Sequence, residues 1–211
     1  MLTTTLSQLH QLKLSGMAKA LSQQLEQPGQ YQDLCFAERL QLLTDQEIHE
    51  RDNRKQQRLL KQAQLKLAAN SHDIDYQHPR GLQKSVMAGL LQCDWLQRQQ
   101  NLLLTGPCGT GKTYIACALA NTACLKGYTV KYYRVSRLLM ELTQAKADGT
   151  YSKKLKSLAK LNLLILDDWG LEPLKAAQRN DLMEIMDDRH GSSSTILISQ
   201  LPTDQWYQSI G

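Results

Sequence analysis

The chain has 211 residues, 42% hydrophobic and 21% charged. These proportions fit a globular protein and exclude collagen-like, disulfide-scaffold and wholly disordered classes. The formal charge of +5, from 25 Lys and Arg against 20 Asp and Glu, permits a nucleic-acid partner without requiring one. No apolar run reaches the roughly 18–20 residues that cross a bilayer, and residues 1–16 are too polar and too weakly basic for a secretory signal. The five cysteines contain no CxxC pair. A cytoplasmic, reducing location with no membrane partner and no structural metal is therefore expected.

The first seventy or so residues read as helix. Apolar residues recur at three- and four-residue spacing at Leu2, Leu6, Leu9, Met17, Leu21 and Leu25, until Pro28-Gly29 breaks the pattern. A second helical stretch opens near Asp33. Within it Thr44-Asp45-Gln46-Glu47 has the form of a capping box and predicts a fresh helix running to about Ala69. That helix carries Arg51, Arg54, Lys55, Arg58, Lys61 and Lys66 against Asp52 alone. The run reads as a solvated face steadied by Glu47–Arg51 and Glu50–Arg54 pairs, or as a ridge for phosphates. Residues 1–69 are thus expected to form a small all-α N-terminal domain. Residues 70–81, with polar Asn70-Ser71-His72-Asp73 and the turn-forming His78-Pro79-Arg80-Gly81, form the linker.

From residue 82 the texture changes. A short helix over 83–95 is followed by apolar strands at 101–105, 128–134, 162–167 and 195–199. They alternate with helices at 112–126, 136–147, 151–160 and 176–189. Such alternation predicts an α/β domain over 82–211 with a parallel sheet and helices on its faces.

Gly106, Pro107, Cys108, Gly109, Thr110, Gly111, Lys112 and Thr113 match G-x-x-x-x-G-K-[ST] in full, between a predicted strand and a predicted helix. The glycines let successive N–H groups turn inward toward phosphate oxygens, and the helix N-terminus adds its positive dipole end. Lys112 supplies a point charge for the outer phosphates and Thr113 a hydroxyl for Mg2+. Downstream, the apolar run Leu163-Leu164-Ile165-Leu166 ends in Asp167-Asp168. Asp167 is the candidate Mg2+ ligand. Asp168 is the candidate to polarise the attacking water, in a role where a Glu, one methylene longer, is more usual. The strand over 195–199 ends at Ser199-Gln200. These side chains either touch the water and terminal phosphate or form a turn into Leu201-Pro202.

These strings, with Leu12-Lys13-Leu14-Ser15-Gly16-Met17-Ala18, Phe36-Ala37-Glu38-Arg39-Leu40, Asp73-Ile74-Asp75-Tyr76, Pro79-Arg80-Gly81-Leu82, Tyr132-Tyr133-Arg134 and Leu166-Asp167-Asp168-Trp169-Gly170, carry a resemblance that covers nearly the whole chain. It resembles the IstB-like ATP-binding proteins, the AAA+ helpers of one class of bacterial insertion sequence. More distantly, it is similar to DnaC-type helicase loaders. The resemblance implies a P-loop AAA+ core binding ATP and Mg2+, with Lys112 and Thr113 as nucleotide and metal residues. Asp167 and Asp168 would be the Walker B pair and Gln200 the first sensor, with Ile74 and Tyr76 approaching the adenine. It implies an ATPase that assembles as a homo-oligomer on double-stranded DNA and assists the transposase of its element. The alternatives are a helicase loader, or a hydrolysis-deficient fragment that binds without turnover. Members of the resembled family continue past the first sensor with a last core strand, a lid, an arginine finger and a second sensor. A chain ending at Gly211 is expected to lack these, to bind nucleotide better than it hydrolyses it, and to leave Leu102-Leu103-Leu104 at an exposed sheet edge prone to aggregation. Cys108, at a tolerant loop position, makes the site sensitive to thiol reagents.

Between Lys126 and Lys160 nine basic residues face two acids, Glu141 and Asp148. The segment reads as a solvated face or as a sequence-indifferent DNA contact, with Lys153, Lys154 and Lys156 as the contacting residues.

Overall fold

A computed structural model describes residues 2–78 and 81–207, with side chains from residue 4. Pro79 and Arg80 of the expected linker lie outside the described residues. The chain divides into two compact units, residues 1–58 and 59–211.

The first unit is helical: α1 (Leu2–Gln11), α2 (Ser15–Glu26) and most of α3 (Phe36–Ala63). Lys13, at φ 60, turns the chain out of α1. A single 3-10 turn at Pro28–Gln30 follows α2, where Pro removes a donor and fixes φ. Gly16 lies where α2 meets α3. A Cβ there would stand 2.7 Å from the Gln46 carbonyl oxygen and 2.7 Å from the Glu47 Cα, so glycine permits the approach. Gln24 and Arg39 tie the same pair of helices reciprocally. The Gln24 amide donates to the Arg39 carbonyl (3.1 Å), and the Arg39 Nε donates to the Gln24 Oε1 (3.0 Å).

The capping box expected at Thr44 does not start a helix, because α3 runs through it without a break. Thr44 donates its hydroxyl back to the Gln41 carbonyl (2.8 Å), as a mid-helix threonine does. Glu47 turns instead to the open N-terminus of α2 and accepts from the Gly16 N–H (2.7 Å) and the Met17 N–H (3.2 Å). Orphan amides of another helix have captured the carboxylate that local pattern assigned to its own. Arg51 pairs with Glu47 at 2.7 Å as expected, but Arg54 does not pair with the Glu50 carboxylate. It donates to the Glu50 backbone carbonyl and lies 3.6 Å from Glu47. Burial alone would push the Glu47 pKa up. Arg51 and the two amides outweigh it and hold the pKa below the ordinary value. The stabilisation is therefore present at neutral pH and lost as pH falls through that lowered value. Glu47→Ala is expected to cost roughly 2–3 kcal/mol of stability in this unit. The checks are an earlier urea midpoint and faster amide exchange at Gly16 and Met17.

α3 ends at Ala63 rather than near Ala69, because Gln64 adopts a left-handed φ of 49. Residues 59–78 join the second unit's core through Leu59, Ala63, Ala69 and Ile74, all nearly inaccessible. The helix expected over 83–95 is two, α4 (Lys84–Leu91) and α5 (Asp94–Gln97), separated by Cys93 at φ 66.

The rest follows the expected alternation: β1 (Leu102–Thr105), α6 (Lys112–Leu125), β2 (Val130–Arg134), α7 (Val135–Ala147), α8 (Tyr151–Ala159), β3 (Leu163–Trp169), α9 (Ala176–Arg189) and β4 (Ser194–Ser199). The four strands are parallel in the order β1-β4-β3-β2. Side chains alternate across the sheet. Leu163, Ile165, Ile196 and Ile198 face a core containing α6, while Leu164, Leu166 and Leu197 face one built with α7, α8 and α9. Covered on both faces, β3 reads as a continuous apolar run. Ala116, Cys117, Ala118, Leu119 and Ala120 on α6 are at most 1% exposed. The small Ala and Cys side chains among them seat the helix after the glycine-rich loop close against the core. β1 pairs only with β4 among the described residues, and its Leu103 is half-exposed.

Arg189 is 1% exposed and ties α8, α9 and β4 together. It donates to the carbonyls of Leu158, Leu161 and Ser194 and to the Thr195 hydroxyl. Burial lowers its pKa to about 10, so it stays charged at neutral pH, held by neutral oxygens. No described helix is long and apolar enough to cross a membrane.

Candidate nucleotide-binding site

The strand order brings three chain segments together at the carboxyl ends of the strands, where parallel α/β sheets bind ligands. β1 delivers the glycine-rich loop, β3 the two acids, and β4, between them, Ser199 and Gln200. One cleft is lined by Cys108, Gly109, Gly111, Lys112 and Thr113, by Asp167 and Asp168, and by Ser199 and Gln200. Sequence motifs separated by some fifty to ninety residues therefore share one wall-to-wall site.

Gly106, Gly109 and Gly111 have φ of 144, 84 and 85, conformations that residues with a Cβ rarely adopt. Thr110 closes the loop by donating its hydroxyl to the Pro107 carbonyl (3.0 Å). Gly111 caps α6, and Gly111, Lys112 and Thr113 at that helix start line the cleft. The Lys112 ammonium donates to the Gly106 carbonyl (2.6 Å) and the Pro107 carbonyl (2.7 Å). Its ammonium thus rests on carbonyls of the loop itself. Cys108 is exposed and carries a free thiol.

At the foot of the loop, Thr113 donates its hydroxyl to Asp167 Oδ2 (2.9 Å). Two hard oxygens converge there beneath the glycine-rich loop. Mg2+ is usually held by one or two protein oxygens plus substrate phosphates, and this donor set fits it. Among the described residues no cluster of three His, Cys, Asp or Glu side chains could hold a metal alone. Asp167 is 2% exposed and fully engaged. Its Oδ2 also accepts the Tyr132 hydroxyl at 2.6 Å, its Oδ1 accepts the Asp168 N–H at 2.9 Å, and the Lys66 ammonium lies 3.8 Å from Oδ2. Burial raises the Tyr132 pKa far above its ordinary value, and the bond to Asp167 adds to the rise. Tyr132 therefore remains a neutral donor.

Asp168 sits on a bulge. Leu166 pairs with Leu197, but Trp169 pairs with Ser199, so β3 carries one residue more than β4 across this step. Asp168 takes φ 61, an uncommon conformation for a residue with a side chain and one that clusters at functional sites. The bulge sends successive acids to different places. Asp167 goes to the buried foot of the loop, and Asp168 to the rim, where Arg134 lies 3.6 Å from its carboxylate.

The remaining expected residues divide. Gln200 lines the cleft and is exposed. Ser199 donates its hydroxyl to the Trp169 carbonyl (2.7 Å) and accepts the Leu201 N–H, which serves the strand end. Ile74 is buried in the core, and Tyr76 packs partly buried against it with Lys84 over its ring. Neither lines the cleft between the loop and the acids. Lys153 and Lys156 project from α8 with Lys160 along a shallow exposed groove. Lys154 points inward instead, to Glu141 (2.7 Å) and the Tyr133 hydroxyl oxygen (2.9 Å). Burial opposes its charge, but these oxygens raise its pKa overall. Lys131 and Lys146 are engaged too, with Gln62 and Gln64, and with Asp181. Local pattern missed Lys66, Tyr132 and Arg134 as members of the site. Tyr132 and Arg134 fall in a string that carries the resemblance but implies no role for them, and Lys66 sits in a basic run that fits a solvated face or a phosphate ridge alike.

Loop on one strand, acids on a second and a third strand between them define a P-loop protein with an AAA+-type core. The chain belongs to the family of IstB-like ATP-binding proteins, whose model matches residues 7–211. It is 51% identical over 200 residues to a protein named for ATP binding in insertion sequence IS1162 of Pseudomonas fluorescens, covering 94% of this chain and 86% of that one. A similarly named insertion-sequence protein of Sinorhizobium fredii is 43% identical, covering 98% of this chain and 84% of that one. Among solved structures, the DnaC helicase loader superimposes with a TM-score of 0.55 at 23% identity, over 60% of this chain and 77% of that one. DnaI gives 0.57 at 22%, over 72% and 79%. AMPPCP-bound DnaA from Aquifex aeolicus gives 0.61 at 20%, over 67% and 45%. At such identity these likenesses establish the fold alone.

Proposed function

We propose that this protein is an ATP- and Mg2+-dependent helper of an insertion-sequence transposase, one that assembles on double-stranded DNA in its ATP form. The observation that carries the reading is the meeting of Thr113 and Asp167, 2.9 Å apart, under a loop whose lysine is free to leave its own carbonyls. The insertion-sequence relatives favour a transposase as partner over a replicative helicase.

In this reading the loop amides and the α6 N-terminus bind the phosphates, and Lys112 turns to the outer ones. Thr113 and Asp167 would hold the metal, which would supply positive charge against the phosphates. Asp168, at the rim, accepts the proton of the attacking water. Gln200 contacts the terminal phosphate and reports its presence to β4. Ile74 and Tyr76 are proposed to border the base. Residues 1–58 serve assembly or partner docking, while residues 59–78 are built into the core unit.

DNA contact is assigned to α8. Of the lysines expected there, Lys153 and Lys156 keep the role and Lys160 joins them. Lys154 is committed to Glu141 and braces the helix. Three phosphate contacts give a salt dependence of about −0.9 per contact, or a log–log slope near −3 per chain. Fluorescence anisotropy with labelled duplex is expected to show this slope with ATP and weaker binding with ADP. The Lys153→Ala, Lys156→Ala, Lys160→Ala triple variant is expected to flatten it. Equal binding with ATP, ADP and no nucleotide would remove the switch from this reading.

A further inference from the structure

Asp167 is the most deeply buried carboxylate of the cleft, 2% exposed, and its charge needs a counter-charge. Lys112 does not supply it, because its ammonium is directed to the Gly106 and Pro107 carbonyls. Tyr132 and Thr113 bring hydroxyls to Oδ2, but no charge. The one ammonium near that oxygen, among the described residues, belongs to Lys66, at 3.8 Å.

Lys66 is not on a motif strand or on α6. It lies on the strap that follows α3, and that strap is fastened on both sides of it. Before it, Lys131 of β2 donates to the Gln62 carbonyl (3.1 Å) and the Gln64 side-chain oxygen (2.7 Å). After it, Asn121 of α6 donates to the Ala69 carbonyl (2.9 Å). Ala63 and Ala69 are 0% and 1% exposed. A fastened strap therefore delivers a third-party lysine into the cleft wall beside Lys112 and Thr113.

We propose that Lys66 is the resident counter-cation of the metal-holding carboxylate. It neutralises Asp167 in the metal-free site, and Mg2+ displaces it from Oδ2 when the metal enters with the nucleotide. The inference rests on the reading that Thr113 and Asp167 hold the metal. It makes a specific demand on linkage. Lys66 favours nucleotide binding in the absence of metal, where an uncompensated Asp167 would repel the phosphates, and it opposes Mg2+ where metal is present.

The test is a fluorescence titration of the full chain with N-methylanthraniloyl-ATP, in EDTA and across a Mg2+ series. The variants are Lys66→Met, which keeps the apolar stem, and Lys66→Arg, which keeps the charge. For Lys66→Met the affinity in EDTA is expected to fall about fivefold, as befits a partly exposed ion pair. Affinity at saturating Mg2+ should stay within about twofold, and the Mg2+ midpoint should move to lower concentration. Lys66→Arg should restore the wild-type ratio. Where binding in EDTA is too weak to fit, the Mg2+ midpoint carries the comparison. An unchanged ratio and midpoint in Lys66→Met would make Lys66 a bystander and overturn the proposal. An equal loss with and without metal would overturn it as well, in favour of a direct phosphate contact or a folding defect, which a melting curve separates. Wild-type binding indifferent to Mg2+ would instead refute the underlying metal site, whatever Lys66 does.

Discussion

Lys112→Ala is expected to weaken ATP binding by about 30- to 100-fold while leaving the fold intact. The ammonium is held 2.6 Å and 2.7 Å from two loop carbonyls, at the mouth of a cradle otherwise built from neutral amides. A charge-assisted hydrogen bond contributes roughly 1.5–3 kcal/mol, and the triphosphate takes at least one from this residue when it replaces the carbonyls. Neither acceptor lies in the core, so the melting temperature should be unchanged. The checks are calorimetric titration with Mg·ATP and a melting curve on the same sample. A variant that binds like the wild type would place the phosphates elsewhere.

Asp168→Asn is expected to lower ATP turnover by roughly 10²–10³-fold, within the range general-base catalysis supplies, and to leave ATP affinity within about threefold. The substitution separates chemistry from structure at this position. Asn tolerates the left-handed conformation that Asp168 adopts at φ 61, so the bulge that aims the two acids survives. What is lost is the ability to accept a proton, together with the charge facing Arg134 at 3.6 Å. Asp167→Asn should behave differently. Its carboxylate accepts from Thr113 and Tyr132 at the foot of the loop, so its loss should appear in the Mg2+ dependence of binding. Phosphate release under single-turnover conditions and nucleotide titration across a Mg2+ series distinguish the two variants.

Much of the second unit was legible because both of its periodicities are strong. The apolar runs at Leu102-Leu103-Leu104 and Leu163-Leu164-Ile165-Leu166 have the length and flanking turn residues of strands. The eight residues from Gly106 to Thr113 fix a backbone conformation as well as a chemistry. The Asp167-Asp168 pair was visible as an anomaly at the end of an apolar strand. The bulge that sends the two side chains to different places was not, because it arises from pairing with β4.

The less legible features share one cause: long-range partners. Thr44 to Glu47 satisfied a local capping rule, but the amides of Gly16 and Met17 claimed the carboxylate. The run from Arg51 to Lys66 reads as one face, solvated or phosphate-contacting. It ends instead at a left-handed Gln64, and Lys66 turns into the nucleotide cleft. Among the lysines of α8, spacing could not separate Lys154, which meets Glu141, from Lys153 and Lys156, which meet solvent. Charge counts register how many cations a segment carries, while their availability depends on neighbours far away in sequence.

The most direct measurement is calorimetric titration of the full chain with ATP, once with Mg2+ and once with EDTA. A P-loop site completed by Thr113 and Asp167 should bind one nucleotide per chain, at least about tenfold more tightly with the metal than without it. Binding that is absent, or the same in both buffers, would contradict a metal-assisted nucleotide site at Thr113 and Asp167.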